Sequence, residues 1–190
     1  TVLKAAAFMM ALAALLAVPL LVYRGWPIIA IGIPSLWFCY GYTGGPWPLA
    51  YRGLGELFVV LFFGLVAVAG SAFVQSGKWH FEAVIAGLQV GMLSTVLIAI
   101  NNLRDIEEDA KTGKRTLAVR FGKRFARWEI LLLIGTAYFI NGYWWLDRWA
   151  FWWPALLLLP GPVYICVRIW KSEPSNSFNK DLAAAGLHLI

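Results

Sequence analysis

The sequence predicts an all-α membrane protein, a polytopic bundle of transmembrane helices. Of its 190 residues 61% are hydrophobic and 14% charged, and the mean hydropathy is +0.69, values outside the range of soluble domains. Apolar runs recur at about the length, roughly 20 residues, that crosses a bilayer as a helix. No run is interrupted by strand-like alternation, and a segment at bilayer depth must be helical to satisfy its backbone groups.

Six runs and a C-terminal fragment are predicted to be helices. They are 3–23, 28–42, 57–75, 81–100, 128–146 and 149–170, with the fragment at 182–190. The second run is short and contains Gly32 and Pro34. Trp and Tyr flank many of the runs, as at a membrane–water interface. We therefore expect one transmembrane domain over 1–190, truncated at both ends because the chain starts just before one run and stops inside another.

The charges predict an orientation. Thirteen of the 16 Lys and Arg residues fall on one predicted side of the membrane, which leaves Arg24, Lys78 and Arg148 on the other. Short basic loops face the cytoplasm, so the sequence predicts a multi-pass protein of the cell inner (plasma) membrane with its charged side in the cytoplasm. The net charge of +6 does not indicate nucleic-acid binding, which needs a solvated basic face.

The charged stretch "NNLRDIEEDAKTGKRTLAVRFGKR" follows the fourth run. If that helix continues, Asn101, Asp105 and Asp109 project from one face at successive turns. Their amide and carboxylate oxygens suit Mg²⁺. Such acids can also be merely solvated or paired with neighbouring bases, but Glu107 and Glu108 are available for that role. Asn101 extends the polar face toward the apolar core, where an idle polar group is costly.

Phosphate-binding chemistry is predicted directly after this face. In "GKRT", Gly113 permits a tight turn, and Lys114 and Arg115 can donate to phosphate oxygens. The GxxxxGK[ST] pattern of a P-loop is absent. A second loop on the same side, "YTGGPWPLAYRGLGE", predicts a shaped, non-helical connection. It is either a simple interhelical turn or a segment that places Arg52 at the same cavity as Asp105.

The two loops together resemble the UbiA-type intramembrane prenyltransferases. The resemblance implies nine transmembrane helices around a cavity and two aspartate-rich motifs on cytoplasmic loops, which hold Mg²⁺ and a polyprenyl diphosphate. The pattern is most similar to the branch that transfers a polyprenyl group to 1,4-dihydroxy-2-naphthoate in menaquinone biosynthesis. That reaction releases diphosphate and CO₂ and gives demethylmenaquinol.

The resemblance also implies roles for individual residues. Asn101, Asp105 and Asp109 would bind the metal, and Asp105 and Asp109 are the catalytic acids. The diphosphate would be bound by Arg52, Lys114 and Arg115. The aromatic acceptor would be bound by Tyr51 and Asn102. The first aspartate-rich motif is not found in these residues. We expect the runs to correspond to helices three to nine, the first two helices to precede Thr1, and the chain alone to be inactive.

Other functions remain open at this stage. The aromatic acceptor could be 4-hydroxybenzoate, homogentisate or a chlorophyllide. A transporter or channel would carry charges along an intramembrane path, whereas every acid here lies near a predicted helix end. A purely structural membrane subunit would leave the face of Asn101, Asp105 and Asp109 unexplained. Oligomeric state and prenyl chain length are not predicted.

Overall fold

The computed structural model describes residues 2–46, 48–148 and 153–189, and within these ranges every regular element is helical. The α-helices are α1 (Val2–Leu16), α2 (Val18–Arg24), α3 (Trp26–Gly41), α4 (Gly55–Val59), α5 (Gly70–Ser76), α6 (Phe81–Arg104), α7 (Ile106–Lys111), α8 (Leu117–Ile140), α9 (Gly142–Arg148), α10 (Trp153–Leu158), α11 (Pro160–Lys171) and α12 (Asn179–Leu189). Two 3₁₀ turns, Leu49–Arg52 and Asn176–Phe178, and a π-helix, Val60–Ala69, complete the set. The predicted all-α fold is confirmed.

Several predicted membrane runs are confirmed as helices of membrane length. In the part of the chain that the structure describes, four stretches are long and apolar enough to cross a bilayer, namely Val2–Arg24, Gly55–Ser76, Phe81–Arg104 and Trp153–Lys171. Helix α3 is apolar but shorter. Positions 149–152 of the sixth predicted run, and position 190 of the C-terminal fragment, lie outside the described residues.

The predicted start of the fifth run is wrong. Helix α8 begins at Leu117, and the basic segment 120–127 is helical except at Gly122, where φ 86° and ψ 171° kink the helix. Thr116 caps this helix, because its side chain accepts a hydrogen bond from the Val119 backbone N–H at 3.3 Å. Ala126 is buried while Arg124 is exposed. The exposed bases therefore lie on the polar face of an amphipathic helix that is kinked at Gly122.

Helix α6 lies at the centre of the fold. It packs on one side against the π-helix and on the other against α8. The contact with the π-helix is close: a Cβ added at Gly64 would lie 2.7 Å from the Cα of Gly91 and nearer still to the Gly87 carbonyl oxygen. Small residues permit this approach of two membrane helices. The centre of the bundle thus holds α6 firmly and fixes the position of its charged end.

Four helix ends meet at the basic end of the bundle: the end of α6, the start of α8, the end of α11 and the start of α12. Arg127 Nη2 donates to the Ser172 carbonyl at 2.8 Å. Lys123 Nζ donates to Glu107 at 3.2 Å, and this bond raises the pKa of Lys123. These contacts join the helix ends into one surface.

Candidate active site

The two loops singled out in the sequence lie against each other at the basic end. The Arg115 backbone N–H donates to the Tyr51 carbonyl at 3.0 Å. Arg120 donates both to the Arg52 carbonyl at 2.8 Å and to the Arg115 carbonyl at 3.1 Å. Gly53, at φ 70°, lies so close that an added Cβ would be 2.8 Å from the Arg115 carbonyl oxygen. The structure therefore brings the segment of Tyr51 and Arg52 to the segment of Lys114 and Arg115.

A break in the helix falls within the predicted aspartate face. Helix α6 ends at Arg104, and Asp105 has φ −95° and ψ 11°, outside helical values. Even so, Asp105 N–H donates to the Asn101 carbonyl at 3.0 Å and Asp109 N–H to the Asp105 carbonyl at 2.8 Å. The four-residue spacing of the predicted face is thus preserved across the break. Glu107 and Glu108 are exposed, whereas Asp109 is buried.

Arg104 holds the first two members of this face. Its Nε and Nη2 donate to the two carboxylate oxygens of Asp105, each at 2.6 Å. Nη2 also donates to Asn101 Oδ1 at 2.8 Å, and Nη1 donates to Asn179 Oδ1, at the start of α12, at 2.6 Å. The planar guanidinium suits this bidentate arrangement. Arg104 thus fixes Asn101 and Asp105 and links both to the C-terminal helix.

Lys114 holds the third member. Lys114 Nζ lies 3.2 and 3.0 Å from the two carboxylate oxygens of Asp109. The turn that brings it there has Gly113 at φ 78°, and the Lys114 backbone N–H donates to the Asp109 carbonyl at 2.9 Å. The tight turn predicted at Gly113 is confirmed, because a left-handed φ of this kind favours glycine.

The predicted acceptor residues lie in different surroundings. The Tyr51 side chain is 43% exposed. Asn102 is 4% exposed, and its Nδ2 donates to Glu56 Oε1 at 2.7 Å. Glu56, at the start of α4, is itself 6% exposed, and its Oε2 atom is buried without a hydrogen-bond partner in the described structure. Asn102 is thus engaged by a buried carboxylate at the base of the second loop.

An apolar cavity of about 450 Å³ lies between α3 and the start of the π-helix, beside this loop. Its walls include Phe38, Phe58 and Phe62, whose ring centroids lie 4.6 to 5.9 Å apart. Tyr42 lies at its edge, close enough to α4 that a Cβ at Gly55 would be 3.1 Å from the phenol oxygen. An aromatic, apolar cavity next to a polar loop suits a ligand with a hydrocarbon tail.

A sequence model of the UbiA prenyltransferase family matches residues 1–185. The chain belongs to the UbiA prenyltransferase family. The resemblance seen in its two polar loops is therefore confirmed at the level of the family. A bundle of apolar helices with its polar residues gathered at one end agrees with an intramembrane enzyme of this kind.

Curated UbiA relatives are similar over part of their length. Three are named 1,4-dihydroxy-2-naphthoate octaprenyltransferase: those of Haemophilus influenzae (39% identical over 56% of this chain and 35% of the relative), Bacillus subtilis (36%, over 66% and 40%) and Mycobacterium tuberculosis (40%, over 64% and 42%). The 2-carboxy-1,4-naphthoquinone phytyltransferase of Synechocystis is 25% identical over 88% of this chain and 56% of its own length. The matched regions thus span about a third to just over half of the length of these relatives. No solved structure matches.

The donor set fits one side of the Mg²⁺ site that the UbiA resemblance implies. Within the described residues no group of three or more His, Cys, Asp or Glu side chains is placed to hold a metal ion. Asn101, Asp105 and Asp109 nevertheless supply one amide and two carboxylates, and Mg²⁺ commonly binds through one or two carboxylates, waters and substrate phosphates. Each oxygen now bonded to Arg104 or Lys114 keeps a further lone pair for a ligand.

Sequence reasoning missed three contributors to this site. The sequence pattern predicts no site role for Arg104, Glu56 or Asn179. Arg104 directly precedes Asp105, so the sequence does indicate that a guanidinium is available to bind the Asp105 carboxylate. Glu56 and Asn179 are brought in by tertiary contacts across 46 and 75 residues, which no local pattern indicates.

Proposed function

We propose that the complete protein transfers a polyprenyl group from polyprenyl diphosphate to 1,4-dihydroxy-2-naphthoate and releases diphosphate and CO₂ to give demethylmenaquinol. The observation that carries the proposal is the 36–40% identity to three relatives named for that reaction. The phytyltransferase, named for a carboxylated naphthoquinone, supports the same class of acceptor.

The basic end of the bundle supplies residues suited to the diphosphate. Asn101, Asp105 and Asp109 would hold Mg²⁺, which when bound neutralises charge that develops on the diphosphate oxygens. Lys114 and Arg115 would donate to those oxygens from the turn after Asp109, and Arg52 from the neighbouring loop. Arg104 orients Asn101 and Asp105, and Lys114 already lies beside Asp109. The arrangement favours departure of the diphosphate at this end.

The apolar bundle protects the carbon chemistry. The allylic C–O bond breaks with its electron pair on the diphosphate, and the ring carbon that carries the carboxylate forms the new C–C bond. Loss of CO₂ then returns an electron pair to the ring. The aromatic cavity between α3 and the π-helix would hold the isoprenoid and exclude water from the allylic cation. Tyr51 and Asn102 remain our candidates for the acceptor side.

The proposal includes the location of the reaction. The chain is a multi-pass membrane protein with helices long enough to cross a bilayer. We place it in the cell inner membrane with the basic end in the cytoplasm, where short basic loops are retained. Both the diphosphate and the acceptor would then enter from the cytoplasmic side.

The test uses the complete protein in membranes with Mg²⁺ and a polyprenyl diphosphate. Each candidate acceptor is supplied separately, and the products are identified by mass. We expect product with 1,4-dihydroxy-2-naphthoate and none with 4-hydroxybenzoate or homogentisate. Asp105→Asn and Asp109→Asn should each abolish turnover, whereas exposed Glu108→Gln should not. Product from another acceptor alone, or full activity of both Asp variants, contradicts the proposal.

A second arm tests residues 1–190 by themselves. We expect them to give no turnover, because the first aspartate-rich motif that the resemblance implies is not found in these residues. Mg²⁺-dependent product from this chain alone would show that the remaining ligands are not required.

A further inference from the structure

A groove between α8 and α11 lies at the basic end of the bundle and shares no residue with the candidate active site. Its volume is about 410 Å³. The residues that line it are apolar except for one lysine: Trp128, Leu131, Cys166, Val167, Trp170 and Lys171. The groove therefore combines an apolar trough with a single cation at its charged end.

Two tryptophans form the wall nearest this end. The rings of Trp128 and Trp170 meet edge to face with centroids 5.2 Å apart. They are 46% and 37% exposed, and Val167 on the trough floor is 45% exposed. Tryptophan is enriched where a membrane protein meets the headgroup level of the bilayer. The wall thus marks the depth at which a lipid headgroup would meet its acyl chains.

Two cations whose side chains have no partner among the described residues lie at or near the trough. Lys171 is exposed at the end of α11, and Arg124 is exposed one turn before Trp128 on the same side of α8. Among the contacts of the described residues, neither side chain takes part in a hydrogen bond or ion pair. Their neighbours differ, since Lys123 contacts Glu107 and Glu173, and Arg127 contacts Ser172 and Glu173. Unpaired positive charge therefore lies at the mouth of the trough.

We propose that this groove binds an anionic phospholipid, with an acyl chain along the trough and the headgroup phosphate at Lys171 and Arg124. Basic pockets between transmembrane helices bind anionic headgroups, and each Lys or Arg near an anionic surface contributes about 1 kcal/mol. A zwitterionic lipid offers the same chains, but its own ammonium compensates the phosphate. The inference is independent of the transferase activity, because the groove lies on other residues.

The experiment measures quenching of tryptophan fluorescence by lipids brominated on their acyl chains. The purified chain in detergent is titrated with brominated phosphatidylglycerol or brominated phosphatidylcholine. We expect phosphatidylglycerol to reach half-maximal quenching at a lipid mole fraction at least about five-fold lower than phosphatidylcholine does. A roughly five-fold difference in affinity is what the contribution of one such cation, about 1 kcal/mol, corresponds to. Equal quenching by the two lipids means non-selective annular contact and overturns the proposal.

Variants assign the effect to the groove. Lys171→Gln should lower the preference for phosphatidylglycerol about five-fold, whereas Lys4→Gln, which removes an exposed base from α1, should leave it unchanged. Replacing both Trp128 and Trp170 by Phe keeps an aromatic wall and should remove the part of the quenching that distinguishes the lipids, since among the 11 Trp residues only these two of the described part of the chain line the groove. An unchanged preference in either groove variant contradicts the assignment.

Discussion

Arg104 is the residue on which the geometry of the candidate site depends most. It makes four hydrogen bonds of 2.6 to 2.8 Å to Asp105, Asn101 and Asn179. A lysine would keep the charge but could not reach the two oxygens of Asp105 and Asn101 together, because its single nitrogen lacks the fork of a guanidinium. The side chains that orient metal ligands commonly contribute 10- to 100-fold to affinity or activity.

Arg104→Lys in the complete protein is therefore expected to lower kcat by about 10- to 100-fold and to raise the Mg²⁺ concentration for half-maximal activity. Both are measured by prenyl transfer in membranes over a Mg²⁺ titration. Arg24→Lys is the matched control, because Arg24 also donates to two carbonyls, those of Val74 and Gln75, but at the other end of the bundle. A normal Mg²⁺ dependence in Arg104→Lys would contradict a positioning role.

The buried pair of Glu56 and Asn102 supports a stability prediction. Asn102→Ala should destabilise the protein by about 1–3 kcal/mol, because it leaves a buried carboxylate without its donor. Glu56→Gln should cost less, since the amide oxygen still accepts the bond and no charge is buried. Adding Glu56→Leu to Asn102→Ala should restore part of the loss. Thermal unfolding in detergent gives the order, and equal stability of Asn102→Ala and wild type would refute it.

At this scale the sequence predicts what depends on near neighbours. The spacing of Asn101, Asp105 and Asp109 and the turn at Gly113 follow from local geometry, and both are found. The burial of Glu56 could not be predicted, because it depends on how α4 packs against α6. The sequence predicts that Asn102 binds the acceptor. Its hydrogen bond to Glu56 could not be predicted, because that bond also depends on how α4 packs against α6.

Among the elements, the contact of the π-helix with α6 is the closest of the glycine contacts in the described structure. Gly64→Val should destabilise the bundle by about 1–3 kcal/mol or more, because its side chain would overlap the backbone at Gly87 and Gly91, which cannot move aside. The measurement is thermal unfolding in detergent. Gly135→Ala in α8 is the control, because nothing lies within 4 Å of its added Cβ, and it should be neutral or stabilising. Similar losses in both variants would contradict the close contact.

The predicted helix boundaries agree with the structure where a helix is apolar over its whole length, and they disagree where a helix has amphipathic turns at its end. The third and fourth runs fit because their whole length is apolar. Helix α8 starts earlier than predicted because its first turns are amphipathic, with Ala118 and Ala126 buried and Arg120 and Arg124 exposed. Hydropathy averaged over a window reads such turns as a polar loop, whereas a helical period would have indicated them.

For the whole molecule, the main consequence of the fold is that charge and candidate chemistry occupy the same end. Helix α6 has 24 residues and at 1.5 Å per residue is about 36 Å long, so its start near Lys78 and its end near Lys111 lie at opposite membrane surfaces. The compartment that the basic end faces therefore decides which side supplies the substrates.

The predicted orientation can be measured with single cysteines. In a background with Cys39 and Cys166 replaced by serine, Lys78→Cys and Lys111→Cys place thiols at exposed positions near the two ends of α6. If the basic end is cytoplasmic, a membrane-impermeant maleimide added to intact cells should label Lys78→Cys and spare Lys111→Cys. Lysis should make both reactive, which controls for expression and exposure. Labelling of Lys111→Cys in intact cells would place the basic end outside, and the candidate site would then take its diphosphate from the wrong compartment.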